Sequence, residues 1–336
     1  MGYHYVGVDI SKLTLDIALY DGELDWKGGH VRVSNEEEGY GKFKEWLASH
    51  GIGMPDVRLC MEHTGLYGHD FRKWLESEGV TYFMVAPRKM HRYETPENVN
   101  GLGHVKSDRM DAYKIAIYCY HTSGSLRPSR MPPEALFQLK RLLAERRQYV
   151  TQRQLYKQLE KDIGVYDSKA SQDRRESVRG KLDDAVKHLE SEMDELIRSD
   201  AGLKRNYELL TSVIGVGRIV ATTAIVLTEN FTSIDNPRTY ASYLAVAPYR
   251  KESGTSIRCA PRTGKAGFKQ AKADLSVCAL CALRCDPGIR SYWNRKKKEG
   301  KASGVVLNAI KFKLIERMFA VVRRNKPYIR MESFGK

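Results

Sequence analysis

Apolar and polar residues alternate in three short runs at the start of the chain, a pattern typical of half-buried β-strands. The runs cover residues 5–11, 14–20 and 30–33. Asp21-Gly22 follows the second run, and this pair favours a tight turn between two strands. The pattern therefore predicts an antiparallel meander of three strands at the start of an N-terminal domain.

The period of the apolar positions then switches between the helical and the strand value. A helix is predicted before Gly51, a fourth strand over residues 57–62, a second helix around residues 71–75 and a fifth strand over residues 80–86. Three antiparallel strands followed by helix, strand, helix and strand is the element order of an RNase H-like α/β domain. We predict such a domain over residues 1–125.

Four acidic residues occupy notable positions in this pattern. Asp9 closes the first strand and Glu62 closes the fourth. Asp108 and Asp111 lie three residues apart in the first turn of a later helix, so both side chains point to one face. Each feature alone has an ordinary explanation, because acids are common in turns and stabilise the N-terminus of a helix. Together, inside one sheet-and-helix pattern, they predict a shared site.

Converging carboxylates repel one another and raise one another's pKa unless cations lie between them. Mg²⁺ prefers oxygen ligands, and two such ions about 3.5–4 Å apart contact both the attacking and the leaving oxygen of a phosphodiester. We therefore predict that Asp9, Glu62, Asp108 and Asp111 bind Mg²⁺ against nucleic-acid phosphate. An actin-like or sugar-kinase domain, whose first strand also carries Gly-x-Asp, is the competing interpretation. It needs a second glycine-rich phosphate loop, for which the sequence has no convincing candidate.

A segment rich in Ser, Gly, Arg and Pro over residues 123–133 marks a domain boundary. The next segment, residues 133–200, is helical, and its apolar residues between Leu182 and Leu196 recur with spacings of four and three. This heptad pattern favours a coiled-coil arm that joins protomers. Two helices packed on their own domain would give the same pattern, and both interpretations stay open.

Residues 201–330 predict a mainly α-helical C-terminal domain. Two helices flank a Gly-x-Gly turn at residues 215–217, which either exposes backbone N–H groups to phosphate or is a plain packing unit. A basic loop follows in which Ser253 precedes a glycine, with Ser256 as a second hydroxyl. Ser253 is a candidate nucleophile among phosphate-binding cations, although a serine before glycine is also an ordinary turn residue.

The charge balance indicates a polyanionic partner. The chain has 56 Lys and Arg against 41 Asp and Glu, a formal net charge of +15, and nucleic acid is the leading interpretation. The candidate contacts are cations before the acidic helix, around the serine and near the C-terminus: Lys106, Arg250, Lys251, Arg258, Arg262, Lys265, Lys269, Arg295, Lys296, Lys297 and Lys298. A solvated basic surface would look the same.

No apolar run is long enough to span a bilayer and no signal peptide is recognisable, so we expect a cytosolic protein without a membrane partner. The six cysteines lie mostly in apolar patterns, which predicts reduced, packed thiols rather than a disulfide framework. Cys278, Cys281 and Cys285 follow helical spacing and are expected to pack on one face of a helix.

These motifs resemble one known family, the DEDD transposases of the insertion-sequence family numbered one hundred and ten, to which Piv-type DNA invertases are related. In the first half, three stretches carry the resemblance: residues 7–16, 62–65 and 106–112. In the second half, the stretches similar to that family's C-terminal transposase domain are residues 214–217, 244–248 and 251–254. The resemblance therefore covers nearly the whole chain in the right order.

The resemblance implies a RuvC-like N-terminal domain whose four acids bind Mg²⁺, and Ser253 as a nucleophile that forms a transient phosphoserine link to cleaved DNA. It implies that the serine and acidic sites meet across protomers, in a homodimer or homotetramer joined by the coiled-coil arm. It also implies a structured non-coding guide RNA that base-pairs with donor and target DNA. The protein would be prokaryotic and associated with the nucleoid in the cytoplasm.

We therefore predict an RNA-guided, Mg²⁺-dependent DNA recombinase that cuts and rejoins strands through Ser253. One alternative is a RuvC-like junction nuclease that uses metal-activated water, with Ser253 as a structural residue. The other is a basic nucleic-acid-binding protein that has the same fold and no catalytic activity.

Overall fold

The structure, a computed structural model, describes residues 2–20, 22, 29–62, 67–85, 90, 93, 107–249, 252–253, 257–258, 262–264 and 267–329. The chain divides into two compact units, Met1–Met131 and Pro132–Lys336. Separate clusters of buried apolar side chains form the cores of the two units.

The first unit is built on a five-stranded mixed sheet with the strand order β3-β2-β1-β4-β5. The strands are β1 His4–Ile10, β2 Thr14–Tyr20, β3 His30–Ser34, β4 Val57–Glu62 and β5 Thr81–Val85. β2 pairs antiparallel with β1 and β3, whereas β4 pairs parallel with β1 and β5. The predicted meander and the α/β class of this unit are confirmed.

The two faces of the sheet carry different side chains because successive strand residues point to opposite sides. One face presents residues such as Val8 and packs against the helices α1 (Glu37–Ser49) and α2 (His69–Ser77). Phe43 of α1 and Phe71 of α2 are fully buried in this interface. This apolar face forms the main core of the first unit.

The opposite face of the sheet is covered by helix α3, Asp108–Thr122. Gly7 permits a very close approach, since a Cβ atom there would lie 2.1 Å from both the Ala112 carbonyl oxygen and the Ala116 backbone nitrogen. Small residues on both sides of the contact therefore bring the helix backbone directly onto β1.

Helix α3 runs antiparallel to β1. Tyr5, near the start of β1, contacts Tyr120, near the end of α3, with ring centroids 5.0 Å apart in an edge-to-face arrangement. Gly7 lies against the middle of the helix. The N-terminal turn of α3 consequently lies beside the C-terminal end of β1.

The segment after α3 stays with the first unit. The Ser129 backbone N–H donates to the Tyr82 carbonyl at 2.8 Å, and the Ser129 Oγ accepts from the Met84 N–H at 2.9 Å. Arg72 donates to the Arg130 carbonyl at 2.9 Å. These bonds hold the segment against β5 and α2, so the first unit includes residues 126–131, and its end at Met131 lies within the boundary segment of residues 123–133.

The second unit begins with two long antiparallel helices, α4 (Glu134–Ile163) and α5 (Lys169–Ser199). Three ion pairs of 2.6 Å cross between them: Arg146–Glu190, Arg153–Asp183 and Arg179–Glu160. The buried residues of α4 are all in its first three turns, Leu136, Leu139 and Leu143. The far half of the helix pair is therefore held by its own polar contacts rather than by the core.

The apolar stripe of α5 departs from the predicted heptad. Val186, Leu189 and Met193 are buried as the heptad requires, but the next buried residue is Ile197 and not Leu196. A spacing of four at this point follows the 3.6-residue repeat of a straight helix rather than the 3.5-residue repeat of a coiled coil. Met193 and Ile197 join the core of the second unit.

The rest of the second unit is mainly helical, as the sequence predicts. Its further helices are α6 Ala201–Thr211, α7 Arg218–Leu227, α8 Pro237–Tyr243, α9 Lys269–Cys285, α10 Pro287–Lys298 and α11 Ser303–Arg324. Side chains from α6, α7, α9 and α11 dominate the core. Across the part of the chain that the structure describes, every helix is too short or too polar to cross a bilayer.

The Gly-x-Gly turn between α6 and α7 packs against α9. Gly215 has a φ of +93°, and a Cβ atom there would lie 2.8 Å from the Cys278 carbonyl oxygen. The same Cβ atom would lie 2.9 Å from the Ala282 Cβ. The turn is thus engaged inside the unit, which favours the packing interpretation over an open phosphate site.

The described cysteines form no disulfide bond with one another, and three of them, Cys60, Cys119 and Cys278, are buried. Cys281 and Cys285 on α9 are exposed. The expected packing of all three helical cysteines is therefore wrong for these two, because only the Cys278 side of α9 faces the core.

Candidate active site

The acids of β1 and β4 point to the face of the sheet that α3 covers. Gly7 and Cys60 lie opposite each other on these parallel strands. Gly7 contacts α3 directly, and Cys60 clusters with its buried side chains. Side chains two residues apart on a strand share a face, so Asp9 and Glu62 lie on this same side of the sheet.

The first turn of α3 brings the other two acids to the same end of the sheet. Ser107 caps the helix, and its hydroxyl accepts from the Met110 N–H at 3.3 Å. Asp108 and Asp111 follow in the first turn. Because α3 runs antiparallel to β1, this turn lies next to Asp9.

The charges of the four acids interact. Burial raises the pKa of Asp9 to about 6, with further contributions from the negative charges of Asp111, Asp108 and Glu62 in that order. Burial, and then the charge of Asp111, also raise the pKa of Glu62. Carboxyls that resist ionisation together are typical of a site that a cation completes.

A cation that the sequence interpretation missed lies at the same site. Asp9, Asp16 and Arg32 are direct cross-strand neighbours on β1, β2 and β3. The Arg32 guanidinium donates to Asp108 at 2.9 Å, and its Nε lies 3.2 Å from a carboxylate oxygen of Asp16. His30 holds the other oxygen of the buried Asp16 at 3.0 Å. Arg32 therefore partly neutralises two carboxylates beside Asp9.

The carboxylate oxygens of the four acids suit Mg²⁺, although they do not converge on one point. Among the described residues, no three His, Cys, Asp or Glu side chains form a group that holds a metal ion as they stand. Asp108 is turned towards Arg32 instead. All four predicted ligands offer oxygen atoms, which Mg²⁺ prefers. Their carboxylates repel one another, and a bound Mg²⁺ would relieve this repulsion. Binding requires side-chain rotation towards a common centre, and the roles of the four acids stay predictions.

Ser253, the predicted nucleophile, belongs to a short hairpin in the second unit. The hairpin consists of two-residue strands: β6 Pro248–Tyr249, β7 Glu252–Ser253, β8 Ile257–Arg258 and β9 Arg262–Thr263. Ser253 pairs with Ile257, and Pro248 pairs with Thr263. The sequence predicted a loop here, since two-residue pairings are too short to show alternation. Ser256 lies outside the described residues.

The predicted nucleic-acid contacts lie in several places. Those outside the described residues are Lys106, Arg250, Lys251 and Lys265, and only the backbone of Arg258 and Arg262 is described. Lys269 is exposed in the first position of α9. The other four form the last turn of α10: Arg295, Lys296, Lys297 and Lys298. Of these, Lys296 pairs with Glu299 at 2.6 Å, and the other three are exposed.

Two family models match the chain in order. The DEDD model of the IS110 group, described as "Transposase", matches residues 6–161. A second model, described as "Transposase IS116/IS110/IS902 family", matches residues 207–294. The first match contains all four acids and the second contains Ser253. These matches define the class of the protein as a transposase. The chain belongs to the IS110 family of transposases.

Several known proteins are similar to the chain. The pilin gene-inverting protein of Moraxella bovis is 25% identical over 331 residues, which cover 98% of both chains. An uncharacterized 43.6 kDa protein of insertion element IS110 from Streptomyces coelicolor is 34% identical over 117 residues, 34% of this chain and 28% of that protein. Among solved structures, T. thermophilus RuvC in complex with a Holliday junction substrate matches 38% of this chain and 99% of its own, with a TM-score of 0.25 and 12% identity.

Proposed function

We propose that this transposase cuts and rejoins DNA strands through a Mg²⁺-binding acidic site in an RNase H-like, RuvC-like first unit and a serine nucleophile in the second. The observation that carries the proposal is the position of Asp9, Glu62, Asp108 and Asp111 at one end of a sheet of order 3-2-1-4-5, on the face that α3 covers. Acids on the first strand, the fourth strand and a following helix suit phosphodiester chemistry.

The acidic site would act on the scissile phosphate. When bound there, Mg²⁺ supplies positive charge that polarises the phosphate and stabilises charge in the transition state. Asp9, Glu62 and Asp111 would hold the ion, and Asp108 would join them by leaving Arg32. Arg32 would then keep its contact with Asp16, so the buried Asp16 carboxylate stays paired while the site is loaded.

In the serine step, the energy of the broken DNA phosphodiester is kept in the phosphoserine bond that replaces it. The Ser253 hydroxyl loses its proton, its oxygen forms a bond to the scissile phosphorus, and the deoxyribose oxygen leaves and takes up a proton. Attack by a new strand end reverses these events, releases the serine and rejoins the DNA, so no nucleotide cofactor is consumed. The basic surroundings support this role, since residues 248–273 contain seven Lys or Arg and one acid.

In this proposal a structured non-coding guide RNA reads the sequence by pairing with donor and target DNA, while the protein binds the backbones of both nucleic acids. The net charge of +15 suits such sequence-independent contacts. The relative in Moraxella bovis is named for inverting a pilin gene, which is a rearrangement of DNA. That name supports strand rejoining over simple nuclease activity.

We further propose that protomers join through the far half of the α4–α5 hairpin. Leu155, Leu159 and Ile163 follow one another at intervals of four residues along α4, and all are exposed. Tyr166, in the turn after α4, is 90% exposed. An apolar stripe on a solvated helix pair is suited to burial against a second copy.

The test of the serine is a protein–DNA adduct. The full-length protein is incubated with its guide transcript, Mg²⁺ and labelled element-end DNA, and the reaction is stopped with SDS. The wild type should give a covalent adduct, and Ser253→Ala should give none while it still binds DNA. Ser256→Ala is the matched control and should form the adduct. Strand exchange that survives in Ser253→Ala would exclude the serine mechanism.

The same assay separates the alternatives. Cleavage without any adduct, equal in the wild type and Ser253→Ala, would identify a nuclease that uses water. Asp9→Ala and Asp108→Ala should abolish cleavage in either enzyme. If the wild type cuts no DNA under any of these conditions, the protein only binds nucleic acid.

A further inference from the structure

A cavity of about 450 Å³ lies at the N-terminus of α9, where the serine hairpin meets the helices of the second unit. Ala245, Thr263, Gly267, Lys269 and Lys272 are among the residues that line it. Thr263 belongs to β9 and pairs with Pro248 of β6. The cavity therefore lies at the base of the hairpin that carries Ser253.

The lysine in the wall of this cavity is fixed by neutral groups. The Lys272 ammonium donates to the Ala245 carbonyl at 2.7 Å and lies 3.4 Å from the Thr263 hydroxyl. Neither partner carries a negative charge, and within the described ranges neither Lys272 nor Lys269 forms an ion pair. The ammonium is thus held in place while its charge stays uncompensated.

The backbone at the start of α9 adds further positive potential. Phe268 is the N-cap, and its side chain forms no capping hydrogen bond. The first N–H groups of a helix have no partner within the helix, and the helix dipole places partial positive charge there. Lys269, the first helical residue, is exposed beside them.

A second, independent feature is the buried Lys311 of α11, which is only 8% exposed. Across the part of the chain that is described, its ammonium forms no hydrogen bond or ion pair. Asn308, one turn earlier on the same helix face, donates to the Val246 carbonyl at 2.8 Å. Because of this bond, the face of α11 that carries Asn308 and Lys311 lies towards residues 245–246. The carbonyl of Ala245 in this segment also accepts the hydrogen bond from Lys272.

Lys311 and Lys272 therefore approach the same short segment from two different helices. Burial, and then the positive charge of Lys272, lower the pKa of Lys311. Burial of an ammonium without a counter-ion is costly in the free protein. An anionic ligand removes that cost, because it supplies the missing charge and accepts hydrogen bonds.

We propose that this cavity binds a backbone phosphate of DNA, with Lys269, Lys272 and the N-terminus of α9 as its ligands, and with the buried charge of Lys311 adding positive potential from behind the cavity wall. The identity of the ligand rests on the proposed function, since a transposase handles DNA at this hairpin. A phosphodiester oxygen pair suits two ammonium groups in the cavity wall together with the N–H groups of a helix N-terminus. The bound phosphate would hold in place the DNA strand that lies next to the DNA strand attacked by Ser253.

The first test uses inorganic phosphate on the full-length protein. Thermal unfolding is followed in EDTA, in sodium phosphate and in sodium chloride of equal ionic strength. Phosphate should raise the wild-type midpoint above its value in chloride. Lys311→Met should lose this phosphate effect, while its midpoint in chloride equals or exceeds that of the wild type, because a buried uncompensated charge is removed.

Lys204→Met is the matched control, since Lys204 is an exposed lysine of the same unit. It should keep the full phosphate effect. Lys269→Met is the second variant, because Lys269 is exposed and its ammonium forms no ion pair with the described residues. It should weaken the effect even if Lys311→Met folds poorly. A phosphate effect of wild-type size in Lys311→Met or in Lys269→Met would overturn the site.

The second test asks whether the phosphate belongs to DNA. Binding of a labelled duplex is measured in EDTA over a series of salt concentrations, with two unrelated sequences. Lys311→Met should weaken both complexes by a similar factor and reduce the slope of log affinity against log salt by about 1. An unchanged slope, with the inorganic phosphate effect lost, would assign the cavity to free phosphate and overturn the DNA assignment.

Both tests run without cleavage. A missing adduct in the serine assay would therefore refute the proposed function, whereas only the salt slope and the phosphate effect decide this cavity.

Discussion

Asp9 ionises reluctantly because its carboxyl is partly buried beside three other acids, and its pKa is about 6 rather than 3.8. The unfolded chain ionises this group near pH 4, so the folded state loses relative stability as the pH rises from about 4 to 6. In EDTA at pH 7.5, Asp9→Asn should raise the free energy of unfolding by about 1 kcal/mol, after allowance for solvent screening.

Urea unfolding of the wild type and Asp9→Asn at several pH values measures this effect. The gain should shrink as the pH falls below 6, because the folded wild type then protonates Asp9. Glu45→Gln, at an exposed acid of α1, should show no such pH dependence. A loss of stability in Asp9→Asn at pH 7.5 would contradict the account of repelling carboxylates.

Addition of Mg²⁺ should make the wild type more stable than Asp9→Asn, which is the reverse of their order in EDTA. In the wild type the ion relieves the repulsion between the four acids, so the unfolding midpoint should rise with Mg²⁺ concentration at pH 7.5. Asp9→Asn lacks one ligand and should respond much less, while Glu45→Gln should respond as the wild type does. Equal Mg²⁺ responses in the wild type and Asp9→Asn would exclude Asp9 as a ligand.

The sequence predicted the four acids but not the cations around them, for a physical reason. Asp9 and Glu62 lie at strand ends, and Asp108 and Asp111 share a helical turn. The spacing of nearby apolar residues is therefore enough to assign each acid to its strand or helix. Arg32 reaches the site through the pairing register of β1, β2 and β3, which local patterns leave open. Lys311 was missed for a similar reason, since its neighbours lie on distant helices.

At the scale of elements, the contact between β1 and α3 sets the geometry of the acidic site. A Cβ atom at Gly7 would overlap the backbone of α3 at Ala112 and Ala116, and backbone has little freedom to yield. Gly7→Ala should therefore push α3 away from the sheet and cost about 1–3 kcal/mol of folding stability. It should also weaken the Mg²⁺ response, because Asp108 and Asp111 move with the helix.

Gly41→Ala is the control for this substitution. Gly41 lies inside α1, and a Cβ atom there meets nothing within 4 Å, so alanine should stabilise the helix by about 0.5–1 kcal/mol. Chemical unfolding of both variants measures the contrast. A Gly7→Ala protein as stable as the wild type would show that α3 tolerates a longer distance from β1.

The elements were predicted well where they are long or regular. The alternation of apolar residues located all five strands of the sheet to within one or two residues, and the helical period of the apolar positions predicted α1 and α2. The strands around Ser253 escaped prediction because each has two residues. The stripe of α5 was assigned to a heptad because the 3.5- and 3.6-residue periods differ little over five positions, until Ile197 takes the place of Leu196.

At the scale of the whole molecule, the two units have separate cores, and the first should fold alone when its end is correctly placed. Ser129 and Arg130 hydrogen-bond to β5 and α2. A fragment of residues 1–131 should therefore be more stable than one of residues 1–125, by about 1–3 kcal/mol for the lost bonds. Urea unfolding of the two fragments measures the difference, and equal midpoints would show that the segment contributes nothing.

Assembly is the remaining property of the whole molecule, and the α4–α5 hairpin makes it testable. The far half of α4 buries no side chain in the core, yet it carries Leu155, Leu159 and Ile163 on one exposed stripe. If this stripe joins protomers, light scattering of the wild type should give two or four times the chain mass of 38.3 kDa. Leu155→Arg with Leu159→Arg should give the single-chain mass.

Since both leucines are exposed, the substitutions should leave the fold intact, and circular dichroism should match that of the wild type. Gln154→Arg with Gln158→Arg adds the same charge to exposed positions of the same helix and should keep the assembled mass. This control separates the loss of apolar contact from simple charge repulsion. An assembled mass in the leucine variant would place the contact between protomers on another surface. A single-chain mass in the wild type would show that the stripe does not join protomers. The hairpin would then be a helix pair that packs only within the second unit.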